Sequence, residues 1–342
     1  MVYQIARSLE SGLRADVIRI WVATRAEAAA LLSLLGRRLF WAVPVSLLMT
    51  ALLFFSVSGL LGNPAAVMLG LDATPEAIRA LEQRYGFDRP VLVQYLDWMA
   101  HAATGDLGRS FTTQERVAAT LVQRLPVTIE LGIAAILLAA LAAIVVNSLT
   151  TGRAIVRPIA TAAAILGVTL PNFVIGLGLI FVFAVQLGWA PSIGWAPWSD
   201  GPVTHLHHII LPVLTLSAYY YGTFTFVYRA EYDGHARSMF AQAARAKGLS
   251  ETRVSFMHVL PNSILPVVTY VGLSLGQLVG GAVVVESLFS VPGVGSLLVD
   301  SVLARDYPVM LAIGMVVVVT VVVMNALADA AYSLANPQIR AR

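Results

Sequence analysis

The chain has no cysteine, one lysine (Lys247), and little charge of either sign, with 12% of its 342 residues Asp, Glu, Lys or Arg. Without thiols there is no disulfide framework, thiolate metal site, iron–sulfur cluster or cysteine nucleophile. The lone lysine follows Ala246, so there is no G-K-[S/T] phosphate-binding loop and no ATP hydrolysis by that route. No His-Glu-x-x-His pair is present. Soluble domains carry about 25% charged residues. A chain with half that, and 58% apolar residues, is an integral membrane protein. Its net charge of +3, spread along loops, does not indicate nucleic-acid binding.

Six apolar runs are long enough to cross a hydrocarbon core of about 30 Å at about 1.5 Å per residue. The first, Leu39 to Leu61, has 23 uncharged residues behind Arg37 and Arg38. It starts too late and runs too long for a signal peptide, so it reads as a retained span. The others are Pro126 to Leu149, Pro158 to Leu187, Ile209 to Tyr228, Ile264 to Val285, and Val309 to about Leu327. Leu170-Pro171-Asn172-Phe173 interrupts the third, where the proline kinks the helix and freed carbonyls can line a pathway. Gly272, Gly276 and Gly280 recur every four residues in the fifth, a spacing that allows close helix contact. Gly272-Leu-Ser274-Leu-Gly276 also fits G-x-S-x-G, but a continuous apolar helix is not the strand–turn–helix of a hydrolase.

The remaining segments are polar. Residues 1–36 show a helical apolar period with Arg7, Arg14, Arg19 and Arg25 between, as in a basic amphipathic helix on a membrane surface or a loose tail. Residues 62–126 form a long loop with a helix start at Thr74-Pro75-Glu76 and a second after Pro90. Glu130, near the start of the second span, reads as a structural group. His205, His207 and His208 cluster around the loop 188–207, but their irregular spacing argues against a metal site. All six histidines lie outside the predicted spans, against a bis-His haem. Residues 286–308 carry Glu286, Asp300, Asp306 and a Pro-Gly-Val-Gly turn, read as a re-entrant or outer-face element beside the path. Fifteen basic residues fall on the segments this topology places in the cytoplasm and seven outside, so both termini are expected inside.

The longest polar interval of the second half, residues 229–263, is the most informative. Met239 to Ala246 is helix-forming and rich in alanine, Gly248 is placed as its C′ residue, and Ser250 as the cap of a second helix. Gln242-Ala243-Ala244, three residues, Gly248, nine residues, then His258-Val259-Leu260-Pro261 resembles the coupling loop of ABC importer permeases: Glu-Ala-Ala, three residues, Gly, nine residues, Ile-x-Leu-Pro. Gln242 and His258 depart from that pattern. ARAKGLSETRV, LPNSILPVVT, GNPA, GDLGRSF, GVTLPNFVIGLGLIFVFAVQLGWAP and ESLFSVPGVGSLLVD are similar to the dipeptide, oligopeptide and nickel branch.

The resemblance covers about residues 37–335 and leaves the N-terminal extension 1–36 and a tail 336–342 outside. It implies an all-α polytopic membrane protein with six transmembrane helices and the type I ABC importer permease fold. It implies a bacterial cell-membrane transport subunit, not an enzyme, importing peptides; nickel or another small solute is the alternative. Partners would be a second homologous permease (a heterodimer), two ABC ATPase subunits carrying ATP and magnesium, and an extracytoplasmic binding protein docking near the outer loop. This chain would hold no cofactor. The ATPase-coupling residues would be Gln242, Ala243, Ala244, Arg245, Lys247, Gly248 and Leu249. Pro171, Asn172, Gly272, Gly276, Gly280 and Glu286 are candidates for the path or its gate. The rivals are a gradient-driven transporter, which needs paired ionisable groups in mid-membrane, and a membrane enzyme. The spans lack the polar constellation that either requires.

Overall fold

The structure, a computed structural model, describes residues 43–59, 62–70, 73–150 and 156–335, together with Gly36 and Phe40. The expected amphipathic extension and the C-terminal tail lie outside those residues. Among the described residues the architecture is helical, and the one β-bridge joins Arg109 and Arg116. Helix α1 is Val43–Gly59. In the following loop, α2 (Pro64–Leu69), α3 (Pro75–Tyr85) and α4 (Val91–Ala103) form in turn. Helix α3 starts where Thr74 Oγ1 accepts the Ala77 N–H, with Pro75 in the first turn, as the sequence predicts.

Helix α5 (Val117–Thr150) begins nine residues before the predicted span and runs through Pro126. The bond Pro126 cannot make is to the Val122 carbonyl, and Val122 stands 73% exposed, where solvent can take that place. Helix α6 (Val156–Thr169) and α7 (Asn172–Leu179) meet at Pro171 with a bend of 119°, far beyond a kink, and α7 continues as a π-helical segment, Ile180–Gln186. The broken pair still crosses in one direction. Along α8 (Pro202–Ala236), Arg157 meets Asp233, Ala160 meets Tyr221, Gly176 meets Thr215, and the Trp189 carbonyl meets His207.

Helix α8 also starts earlier than expected, at Pro202, so the three histidines sit in its first two turns rather than in a loop. The Gly201-Pro202 start carries that signal. After α9 (Met239–Ala246) and α10 (Glu251–Val254), a π-helical turn leads into α11 (Leu260–Gly276). The chain breaks at Gln277 and resumes as α12 (Leu278–Phe289). Leu278 packs on Gly132 and Glu286 bonds Thr128, nearer the start of α5, so α11 and α12 together make one crossing. Helix α13 (Val294–Leu303) turns off by 74° and caps that pole, and α14 (Tyr307–Ala335) returns. Among the described residues α5, α8, α11 with the turns before it, and α14 are long and apolar enough to cross a membrane, and α6 with α7 adds a broken crossing; α1 is a shorter apolar helix.

At the centre, α5 presents Ile136, Ala139 and Ala143 to Phe224 and Tyr228 of α8, with Val267 of α11 and Ile313 of α14 completing the cluster. Between helices in lipid there is no hydrophobic drive to associate, and small residues that admit close packing supply the stability.

The loop pole is locked by Asp306, which is buried. Its carboxylate accepts from the hydroxyls of Ser110 and Thr112 and from the Phe111 N–H, while the Tyr307 hydroxyl donates to the Gly62 carbonyl at 2.6 Å. Removing an acceptor strands its donors at about 1–3 kcal/mol each when buried. Asp306→Ala is therefore expected to loosen residues 104–116 and leave the spans in place. Faster tryptic cleavage after Arg109 and Arg116, with the membrane core uncut, is the expected readout.

Candidate functional site

Two features of the opposite and central parts of the bundle stand out. The first is α9, two turns of helix held at the pole where α8 ends. Its C-terminus closes as a Schellman motif: the Leu249 N–H reaches the Ala244 carbonyl at 3.3 Å and the Gly248 N–H the Arg245 carbonyl at 2.9 Å. Gly248 has φ +80°, the left-handed conformation the sequence predicts for it. Ser250 does precede α10, but its side chain makes no capping hydrogen bond. Glu251 instead pairs with Arg245, whose Nε and a terminal nitrogen meet the two carboxylate oxygens at 2.6 and 3.2 Å. That hydrogen bond pushes the Arg245 guanidinium above its ordinary pKa. Arg245 also donates to the Ala236 carbonyl at the end of α8, at 2.8 Å.

The packing divides α9 into two faces. Ala241 and Ala244 are buried against the bundle, in the cluster that holds Tyr228, Tyr232, Val254 and Val259. Leu249 packs on the same cluster. Met239, Gln242, Ala243 and Ala246 fall at positions i, i+3, i+4 and i+7 on the exposed side, with Phe240 and Lys247 beside them. Met239 is 85% exposed and Phe240 43%. Of the contact residues expected from the sequence reading, Ala244 and Leu249 pack toward the bundle, and the partly exposed Arg245 ties the helix to α8 and α10. Met239 and Phe240, which that reading passes over, are its outward apolar residues. Their signal was an apolar pair opening a helix whose other apolar positions are alanines. Gln242 folds back so that its amide donates to the Arg237 carbonyl at 2.9 Å. A glutamate there would lack that donor.

No Cβ at Gly248 would touch a neighbour, so a substitution is opposed by backbone conformation alone, at about 1–2 kcal/mol. Gly248→Val is expected to unwind the cap and leave the spans folded. In the assembled complex, ATP hydrolysis would continue while uptake falls, and Gly248→Asn would fall between the two because Asn tolerates this conformation. Parallel hydrolysis and uptake assays check this, and loss of the folded protein would make the glycine structural only.

The second feature is an open-sided chamber of about 590 Å³, on which Tyr219, Gln277 and Gly280 stand exposed. Asn172, Tyr219, Tyr220, Gln277 and Asn325 line it, together with Gly276 and Gly280. Both breaks in the crossings open onto it, the one after Pro171 and the one at Gln277. Gly276 and Gly280 both border it, on either side of the break at Gln277. A Cβ at Gly276 would lie 2.8 Å from the Asn325 side-chain oxygen, so this glycine lets α14 approach, while Gly280 faces open space.

Glu286 does not face the chamber. It is fully buried, accepts the Thr128 hydroxyl at 2.6 Å and the Ser296 N–H at 3.0 Å, and so caps the start of α13. Thr128 in turn accepts the Val294 N–H at 2.8 Å. Glu130 accepts from the Trp198 indole at 2.7 Å and lies 2.9 Å from His205 Nε2. The ring nitrogens of His207 and His208 turn to two other backbone carbonyls. Among the described residues no cluster of three His, Cys, Asp or Glu is placed to hold a metal.

Two family models match the chain in tandem. Residues 31–132 match the N-terminal model of binding-protein-dependent transport system membrane components, and residues 132–341 match that of binding-protein-dependent transport system inner membrane components. The chain belongs to this family. This permease is 34% identical over 317 residues to a Brucella abortus (strain 2308) protein described provisionally as a peptide transport system permease, covering 90% of this chain and 99% of that one. It is 35% identical over 307 residues to the glutathione transport system permease protein GsiC of Escherichia coli (strain K12), covering 89% and 97%. Among solved structures, the crystal structure of an amino acid ABC transporter with histidines overlays 62% of this chain and 92% of its own at 17% identity, with a TM-score of 0.48. By its family this permease is a multi-pass membrane subunit of an ABC importer, a transport component and not an enzyme. Membership implies an ATPase and a binding protein as partners.

Proposed function

We propose that this permease forms one half of a translocation path for short peptides, delivered by an extracytoplasmic binding protein and driven by two ABC ATPase subunits. The other half is a second, homologous permease, in a heterodimer. Both termini lie in the cytoplasm, in keeping with the fifteen basic residues on that side against seven outside. ATP and magnesium belong to the partner subunits. The observation that carries the reading is α9: a short helix with an outward stripe of Met239, Gln242, Ala243 and Ala246, fixed from behind by Arg245 and its glycine cap. Small side chains let such a helix sit deep in a groove of a partner.

The anchoring supplies the mechanics. Arg245 ties α9 to α8 and α10, and Tyr232 of α8 bonds Ser255 at the entry to α11. A displacement of α9 is thereby passed to α8 and α11 together. Arg229 binds α8 to α5 through Asn147 and to α6 through Thr161, so the three helices move as one body. Closure of the ATPases on ATP then moves α9 and switches the path between inward- and outward-facing states. The substrate class rests on the peptide and glutathione permeases that this chain resembles.

Intact complex extracted from its native membrane and weighed by native mass spectrometry tests this. Two ATPases and a second, different permease are expected. This chain alone, or as a homodimer with no ATPase across several detergents, would overturn the reading.

A further inference from the structure

A separate cavity of about 400 Å³ lies at the loop pole, walled by α1, the loop helices and the start of α14. Small-molecule sites are typically about 300–1,000 Å³, with apolar walls and a few convergent polar groups. Six rings line this one: Phe54, Tyr85, Phe87, Trp98, Phe111 and Tyr307. Tyr85, Phe87, Phe111 and Tyr307 follow one another at centroid distances of 5.7, 6.2 and 6.1 Å, and Phe54 lies 6.0 Å from Trp98. Phe54 and Tyr307, from α1 and α14, are buried and make the floor. Trp98 carries the one buried side-chain polar atom among the described residues without a hydrogen-bond partner, its indole nitrogen. A buried donor left unmatched is costly.

The rim is polar and exposed. Arg89 and Asp97 satisfy each other at 2.6 Å. Asp106 commits one carboxylate oxygen to the Gly108 N–H, Arg109 one terminal nitrogen to the Gln114 carbonyl, and His101 its Nδ1 to the Asp97 carbonyl. Among the described residues nothing meets the second Asp106 oxygen, the rest of the Arg109 guanidinium or His101 Nε2. A neutral imidazole that donates from Nδ1 accepts at Nε2. Two acceptors, one of them anionic, beside aromatic rings suit an alkylammonium with N–H groups. A guanidinium suits a phosphate. An ammonium and a phosphate above an apolar body describe an aminophospholipid.

The surroundings favour a lipid over a free solute. The floor belongs to two apolar helices of the bundle, α1 and α14. On α4, whose Asp97, Trp98 and His101 line the cavity, Leu92 and Leu96 stand exposed one turn apart, as they would against acyl chains. The ester carbonyls of a glycerolipid also bring acceptors to the wall that holds the unmatched indole.

We infer that this cavity is a site for one aminophospholipid, with its ammonium at Asp106 and His101, its phosphate at Arg109 and its glycerol end on the rings. The bound lipid ties the loop to α1 and α14. The site is independent of the solute transported; only its assignment to the outer leaflet follows from the orientation proposed above.

The intact complex, freed of lipid in detergent, is titrated with dioleoyl phosphatidylethanolamine, phosphatidylcholine or phosphatidylglycerol and weighed by native mass spectrometry. One phosphatidylethanolamine is expected to bind roughly fivefold tighter than either of the others, the scale of exposed charged contacts. Choline has no N–H, and the glycerol headgroup no ammonium. Asp106→Asn keeps an acceptor for Gly108 and should remove most of that preference, while Arg109→Gln should weaken all three lipids alike. Unchanged thermal unfolding without lipid shows that both variants are folded. His101→Leu, on the exposed rim, replaces either variant that fails to assemble, and should weaken phosphatidylethanolamine alone. Binding that ignores the headgroup, or an ethanolamine preference that survives Asp106→Asn and His101→Leu together, overturns the site. Millimolar phenylalanyl-phenylalanine, a free zwitterion, is expected to leave the lipid in place. Displacement of the lipid by that dipeptide overturns the assignment to lipid.

Discussion

Met239→Asp leaves the permease folded and strips it of its ATPase subunits. The position is the first residue of α9 and 85% exposed, so no internal packing is lost. An aspartate in the first turn favours the helix, because it complements the partial positive charge of the N-terminus. What the change destroys is outward. A buried methionine contributes about 1.5–3 kcal/mol to an interface, and a carboxylate in its place must be desolvated without a counter-charge. The combined loss corresponds to at least a tenfold to hundredfold fall in affinity. Copurification of the ATPases should drop accordingly, with unchanged thermal unfolding of the membrane subunit. Ala241→Asp, on the buried face, is expected to do the reverse and cost folded protein first. Retention of the ATPases by Met239→Asp would show that the outward stripe of α9 is not the contact.

Glu286→Ala produces the largest loss of folded protein among substitutions of the candidate path residues. The carboxylate is the acceptor for the Thr128 hydroxyl and the Ser296 N–H, in a pocket without solvent. Alanine strands both donors, at about 1–3 kcal/mol each, and leaves a void where the carboxylate was. The turn is built around that group. A Cβ at Gly293 would lie 2.2 Å from the carboxylate, and one at Gly295 would lie 2.5 Å from the Val283 Cα. Gly293→Ala and Gly295→Ala should therefore reproduce the loss, while Glu286→Gln, which keeps shape and one acceptor oxygen, should be milder. Detergent-solubilised yield and thermal unfolding of the four variants measure this. A fully folded Glu286→Ala complex that fails only in transport would return Glu286 to the translocation path.

Much of this architecture is legible in the residues. Uninterrupted apolar runs declare the crossings because lipid tolerates few charges, and Pro171 declares the break beside Asn172. Gly248 is legible because its φ is set by local cap geometry. What escapes is decided by contacts distant in sequence. Whether Ala243 or Ala244 faces out depends on where Tyr228 and Tyr232 place the bundle, and a run of alanines has no pattern to say so. The break at Gln277 has no proline to announce it. Asn325 is a lone amide in an apolar run, a signal open to notice. Glu286 reads as an acid near a membrane path, and only the folded-back Pro-Gly-Val-Gly turn reveals it as a helix cap.

The central claim, that α9 seats in an ATPase subunit, is tested most directly by cross-linking. Ala243→Cys places the chain's one thiol in the middle of the outward stripe, where a maleimide-linked benzophenone can be attached and photoactivated in native membranes. The predicted result is a covalent adduct between this permease and an ATPase subunit, identified by peptide mass, whose yield changes with ATP. An adduct confined to lipid, or to the permease itself, in membranes where the ATPase is present would contradict the account.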